Sequence, residues 1–411
     1  MKNLIVVSNF FDYPSGPSNT LLHLLRGMGQ FFDNIYLIST LPKHFLPNSE
    51  IAITQFLPKN VRIIHIPRTN METLVYGLNV KNSRQVLGKI LKNTILKLTN
   101  KKNNDFYLYI ASDVFNLISL GESTSKEFLC GYNIFFNFAP LQIVKSYTNF
   151  EDFFVLDFWK NVFLSIATRK IDLSAVKYVK KILAHTEYQK SLYIKELGIH
   201  NKNVVIFPHL IDIDFVRRLA SNCKISSLKD SYIFIYVGRL VKEKGIHILL
   251  EAFTKVSTKE PNVRLLIVGK GPLSNLVLKY KKKLGPKCQW LGEKTYPETL
   301  KLINLSNVLV LPSLHEMFGF VILEAMALGK PVIVTKVGGI KELVESKAGI
   351  LIEPNSVEAL SDAMLQICDG RSQTKEEEIQ QFVRQHFDVK KRAKEFVKIL
   401  ERYGKTYALR N

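Results

Sequence analysis

Short continuous apolar runs alternate with longer amphipathic stretches along the chain, and most runs close on glycine, proline, asparagine or serine. In the first half, strands are predicted at Asn3–Ser8, Ile35–Ile38, Val61–Ile66, Phe106–Ile110, Tyr132–Phe136, Lys181–Ala184 and Val204–Phe207, with a helix over Asn19–Phe31. The second half alternates more cleanly, with strands at Tyr232–Val237, Val263–Val268, Cys288–Leu291, Val308–Leu311, Val332–Thr335 and Gly349–Ile352. Runs this apolar suit parallel strands covered on both faces and joined by right-handed helical crossovers. The pattern predicts an α/β protein of two doubly wound, Rossmann-like domains. The polar stretch SNCKISSLKD divides them, giving residues 1–222 as the first domain, 223–230 as the linker and 231–385 as the second domain. The tail from Lys375 to Tyr403 reads as helical, with Ala393, Phe396, Val397, Leu400 and Tyr403 on one stripe. Residues 386–411 are expected to pack back toward the first domain.

Charge changes the picture. Against 36 acidic residues stand 57 Lys and Arg, a formal net charge of +21. Such a balance points to an anionic membrane surface, a polyphosphorylated substrate or nucleic acid. Nucleic acid is the weakest of these, because the basic residues do not alternate with stacking aromatics in any recognisable module. Arg84–Lys102 gathers Leu87, Ile90, Leu91, Ile95 and Leu98 on one side and Lys89, Lys92, Lys97, Lys101 and Lys102 around the rest. Two readings follow: a surface helix packed on the sheet, or a basic helix lying on anionic lipid. The aromatic stretch Phe150–Ile166 reads as core or as a lipid or acceptor groove. Cys130, Cys223, Cys288 and Cys368 form no CxxC pair, which argues against zinc and against a disulfide framework. The opening MKNLIVVSNFF is too short an apolar run for a signal sequence and nothing approaches bilayer length, so a cytoplasmic protein is expected, peripheral at most.

Most of the candidate chemistry lies between Leu311 and Glu342. A strand ends at Pro312 and Ser313, a loop carries Glu316, and a helix starts near Gly319. A helix start presents backbone N–H groups and partial positive charge, and a glycine there admits a ligand close to the chain, which favours a phosphate. Glu324, about one turn into the helix, is within reach of a sugar or ribose hydroxyl beside that phosphate. Gly238, Arg239, Lys244 and Gly245 follow the first strand of the second domain and suit a diphosphate. GKGPLS at 269–274 lacks the third glycine of a dinucleotide fingerprint and reads as a tight turn. Asp212 and Asp214 open a helix, so capping explains them better than a metal, and no histidine pair has metal spacing.

Together these residues resemble the retaining family 4 glycosyltransferases of GT-B fold. The resemblance rests on Gly238, Arg239, Lys244 and Gly245, then Gly269 to Pro272, then PSLHEMFGFVILEAMALGKPV with Gly338, Gly339 and Glu342, and covers nearly all of the second domain. It implies two doubly wound domains facing across a cleft and a nucleotide diphosphate sugar as donor substrate, with no metal and no other cofactor. By resemblance, Arg239 and Lys244 hold the diphosphate, the N–H groups of Gly319, Phe320 and Val321 meet the distal phosphate or sugar, Glu316 binds sugar hydroxyls and Glu324 the ribose. Transfer to a hydroxyl acceptor would retain anomeric configuration, the departing diphosphate taking the acceptor's proton. The first domain departs from the pattern. Only Gly16 fits the family's paired glycines, Pro17 has no N–H to offer, Asn137 stands where many members carry histidine, and His209-Leu210 replaces Asn-Gly. The charge makes a glycan or lipid-linked acceptor at a membrane the leading expectation. Epimerase or phosphorylase chemistry on the same fold, or nucleic-acid binding without catalysis, are the alternatives.

Overall fold

The structure is a computed structural model, and it describes residues 2–8, 16–39, 53–66, 80–100, 105–111, 114–131, 173–221, 231–344, 348–370 and 375–405. The chain forms two units, residues 1–210 with 389–411 and residues 211–388. The predicted linker at 223–230, the predicted strand Tyr132–Phe136, the aromatic stretch Phe150–Ile166 and Asn137 lie outside the described residues.

Unit 1 holds a parallel sheet of seven strands: β1 (Lys2–Ser8), β2 (Asn34–Ser39), β3 (Val61–His65), β4 (Asp105–Ala111), β5 (Phe128–Gly131), β6 (Val179–Ala184) and β7 (Val204–Ile206). They lie in the order β3-β2-β1-β4-β5-β6-β7. Unit 2 holds six, β8 (Tyr232–Val237), β9 (Val263–Val268), β10 (Cys288–Trp290), β11 (Val308–Leu311), β12 (Val332–Thr335) and β13 (Gly349–Ile352), in the order β10-β9-β8-β11-β12-β13. In each sheet the order reverses beside its first strand, at β1/β4 and at β8/β11. That reversal opens a crevice at the carboxyl ends of the strands where such sheets take ligands.

The strands form where the chain is apolar without interruption. Leu4, Ile5, Val6 and Val7 are fully buried in β1, and Val308, Leu309 and Val310 in β11. The helix predicted over Asn19–Phe31 runs Gly16–Met28, and the basic helix runs Val80–Thr99. The basic helix turns Leu87, Leu91 and Ile95 inward, each no more than 3% exposed. A Cβ at Gly88 would overlap Ser119 of the neighbouring helix Val114–Thr124, so the two helices meet at bare backbone. Of the predicted stripe, Leu87, Leu91 and Ile95 are thus spent inside the unit, whereas Ile90 is 38% exposed.

The tail is not one helix. It breaks at Asp388 (φ −59°, ψ 127°) into Glu376–Phe387 and Val389–Tyr403, because Ile211 pairs there: its N–H donates to Phe387 O at 2.9 Å. The first helix belongs to unit 2, and the second to unit 1. There Phe396 meets Tyr109 edge-on at 5.1 Å and Phe207 at 5.2 Å, and Leu108 N–H donates to Gly404 O at 2.8 Å.

Candidate functional site

The loops at the carboxyl ends of β8 and β11 hold one another through their backbones. After β8, Gly238 N–H donates to Val268 O at 3.1 Å and Leu240 N–H to Lys270 O at 2.9 Å, which ties this loop to the tight turn at Gly269–Gly271. Gly269 sits at φ 129°, a conformation open to glycine, and a Cβ at Gly271 would meet the Leu240 backbone. Beneath them Tyr236, fully buried, donates its hydroxyl to Arg239 O at 2.7 Å, and burial pushes its phenol well above the ordinary range.

Next comes a single 3-10 turn, Lys242–Lys244, ending on Gly245 at φ 66°, where the helix Ile246–Lys259 begins. Glu243 O accepts from Leu314 N–H at 2.8 Å and from His315 N–H at 3.3 Å. A Cβ at Gly245 would overlap the Pro312 carbonyl. The consequence is that Lys244 faces Glu316 across 72 positions of sequence, and its ammonium donates to Glu316 Oε2. Both side chains are mostly covered, at 20% and 12% exposure. Burial alone would push the Glu316 carboxyl up, but the Lys244 ammonium and the Met317 N–H, 3.2 Å from Oε1, bring it below the usual carboxylate range. Burial lowers the His315 imidazole to about 4.

Further along, Thr335 Oγ1 donates to Ser313 O at 2.5 Å and Gly339 N–H to Met317 O at 3.2 Å, so the end of β12 fixes the same loop. Gly319 takes φ 75°, ψ 64° as the N-cap of the helix Phe320–Ala327. A Cβ there would lie 2.7 Å from Ile322 Cδ1 and 3.3 Å from Glu316 Cγ, so glycine lets the helix start close to the carboxylate. Val321 N–H belongs to the first turn, whose donors have no carbonyl one turn earlier. Glu324 is 3% exposed on this helix, which is buried almost all round. Gly238, Arg239, Lys244, Glu316, Gly319, Phe320 and Val321 thus gather at the carboxyl edge of the sheet around the β8/β11 crevice, with Glu324 about one turn deeper.

Gly16 begins the helix after β1 in unit 1. Two residues stand out at the ends of β6 and β7, His209 and His185, the latter not singled out by the sequence: their rings stack at 3.5 Å with 23° between planes. His185 Nδ1 contacts Phe207 O at 2.8 Å, and the His185 backbone N–H donates to Gln189 Oε1 at 2.6 Å. Burial lowers His185 to about 4 and His209 well below its ordinary value. Nothing in their spacing announces the stack. Asp212 caps the helix Ile213–Ala220, its Oδ1 accepting from Phe215 N–H at 3.0 Å. Among the described residues no cluster of His, Cys, Asp or Glu has metal-site geometry.

Two doubly wound parallel sheets, with a built crevice at the β8/β11 reversal, define an α/β protein of GT-B type. The Anabaena HepE protein, crystallised with UDP-glucose, superposes with a TM-score of 0.68 at 17% identity, over 97% of this chain and 99% of that one. Sucrose-phosphate synthase of Thermosynechococcus elongatus gives 0.70 at 17% identity, over 98% and 99%. Residues 221–386 match the family glycosyl transferases group 1. An uncharacterised glycosyltransferase of Methanocaldococcus jannaschii, MJ1607, is 32% identical over 154 residues, 37% of this chain and 39% of its own length. The capsular polysaccharide biosynthesis glycosyltransferase CapM of Staphylococcus aureus is 29% identical over 227 residues, 54% and 57%. The chain thus spans less than two thirds of the curated relatives it matches.

Proposed function

We propose that the protein is a retaining glycosyltransferase that moves a sugar from a nucleotide diphosphate sugar to a hydroxyl acceptor on a glycan or a lipid-linked glycan, without a metal. One observation carries the reading: Lys244 and Glu316 face each other at the β8/β11 crevice, beside a helix start at Gly319, inside the residues that match group 1. A diphosphate entering there finds Lys244, Arg239 and the Val321 N–H as charge partners, and Glu316, anionic at neutral pH, accepts hydrogen bonds from sugar hydroxyls. The acceptor oxygen bonds to the anomeric carbon as the bond to the diphosphate breaks on the same face, and the departing diphosphate takes the acceptor's proton. The protein's part is to stabilise charge that grows on the leaving group. Glu324 is assigned the ribose hydroxyls, and Gly16 and Asn137 the acceptor side. HepE, with UDP and UDP-glucose in its crystals, makes a uridine donor the first to try.

The test is release of nucleotide diphosphate from a panel of UDP, GDP and ADP sugars, with EDTA present and with or without a membrane lipid extract. Lys244→Ala and Glu316→Ala should each lower turnover by about 100-fold or more, and NMR of the product should show the donor's anomeric configuration. No turnover with any donor, or variants equal to the parent, would sink the proposal.

A further inference from the structure

The basic helix Val80–Thr99 spends one face on unit 1 and leaves another uncovered. Four large apolar side chains are exposed among the described residues, Val86 at 55%, Ile90 at 38%, Leu173 at 44% and Leu278 at 38%. Val86 and Ile90 lie one turn apart on this helix. At helical spacing Val86, Ile90, Asn93 and Lys97 share one side, opposite the buried Leu87, Leu91 and Ile95, with Lys89 next to them. Lys89 and Lys92 also line a crevice of about 840 Å³ with Gln85, Asn93, Glu122 and Ser123, and Lys92 Nζ donates to Ser123 O at 3.4 Å across it. The helix sequence, VKNSRQVLGKILKNTILKLT, contains no acidic residue and no aromatic one.

We propose that this outer face, Val86, Lys89, Ile90 and Lys97 with Lys92 in the adjoining crevice, is a docking surface for an anionic lipid bilayer. Two aliphatic side chains bracketed by lysines suit the boundary between headgroups and acyl chains, where the aliphatics enter and the ammonium groups meet lipid phosphates. A single-stranded nucleic acid surface would offer aromatic rings for base stacking, and this face has none. The net charge of +21 adds long-range attraction toward the same kind of surface. The inference deepens the proposed function, since a lipid-linked acceptor has to be met at a membrane, and it rests on that reading only for its purpose.

The experiment is co-sedimentation of the full chain with vesicles of phosphatidylcholine alone, or with about a third of the lipid as phosphatidylglycerol. Binding is expected to the anionic vesicles only and to weaken as salt rises. Val86→Glu with Ile90→Glu should lower it at least tenfold, and Lys89→Glu with Lys97→Glu several-fold, each variant keeping the parental melting temperature. Leu278→Glu, on the lysine-rich helix Ser274–Leu284 of unit 2, should change nothing. Absence of vesicle binding, equal loss in Leu278→Glu, or loss of RNA binding in the first variants while vesicles are ignored, would each overturn the proposal. Release of nucleotide diphosphate from the same panel of UDP, GDP and ADP sugars in vesicle-free solution keeps the two ideas apart. Vesicle binding without donor turnover by the parent removes the transferase reading and leaves this surface, and turnover without vesicle binding does the reverse.

Discussion

At the carboxyl ends of β8 and β11 the loops are held by main chain; at the carboxyl ends of β6 and β7 they are held largely by rings. In unit 2, Glu243 O, Leu314 N–H, His315 N–H and the bare Cα of Gly245 leave the loops one arrangement, and Lys244 and Glu316 inherit their positions from it. In unit 1, Phe207 N–H donates to Ala184 O at 2.8 Å and the His185 backbone N–H to Gln189 Oε1 at 2.6 Å, and above them the His185 and His209 rings stack. Backbone-held loops depend on glycine and tolerate change elsewhere. Ring-held loops depend on burial and on the protonation state of the rings.

The sharpest way to break the contrast is Gly245→Ala. It combines a positive φ with overlap on a backbone carbonyl that cannot swing aside, so unit 2 should lose about 3–4 kcal/mol, read as a lower melting temperature together with lost donor binding. The matching change in unit 1, Gly27→Ala, meets Val389 Cγ2 at 2.5 Å and Ala393 Cβ at 3.2 Å with no positive φ to add strain, and should cost less, about 2 kcal/mol.

Acid should act the other way round. Burial lowers His185 from 6.5 to about 4 and His23 to about 3. Because the folded values lie below the unfolded ones, the unfolded chain takes up protons first. Full stability holds above about pH 6.5 and is lost as pH falls toward 4, by about 3 kcal/mol for His185 alone. Unit 2 carries His315 at about 4 and a lowered His247, while Glu316, depressed, keeps its contribution until pH falls through its own value. Amide exchange at pH 7 and pH 4.5 should show the steeper loss in peptides from β6 and β7. His185→Phe, which keeps a ring in the stack, should flatten that loss and leave unit 2 unchanged. An equal slope in the variant would show that the stack is not the sensor.

The smallest effect tests how far the support under Arg239 matters. Tyr236→Phe removes one hydrogen bond to the Arg239 carbonyl and should cost about 1 kcal/mol of stability. If Arg239 grips the donor, KM should rise by less than tenfold while kcat stays near the parent's.

Strand positions in unit 2 were readable because parallel strands buried on both faces are bare apolar runs between turn residues. Tyr232–Val237, Val263–Val268, Val308–Leu311, Val332–Thr335 and Gly349–Ile352 are found at the predicted bounds. β5 escaped, since FLCG offers a short run ending on glycine. The break at Asp388 escaped as well, because its cause is pairing with Ile211 and local periodicity carries no trace of a partner so far away in sequence. Glycines at 245, 269 and 319 marked the loops correctly, as positive φ leaves a residue-type signature. That Lys244 and Glu316 would contact each other was not legible: a side-chain pair depends on the distance between loops, which sequence does not state. The His185–His209 stack left no signal for the same reason.

The return of Val389–Tyr403 to unit 1 sets an order of events during synthesis. Unit 2 is one unbroken stretch of chain, whereas unit 1 begins first and lacks its last helix until the ribosome has passed Gly404. Until then the Tyr109 and Phe207 rings have no Phe396 to pack against, and Leu108 N–H has no Gly404 carbonyl. The unit started first is therefore finished last, and a nascent chain stalled before residue 389 would present a completed unit 2 beside an open apolar flank that chaperones recognise.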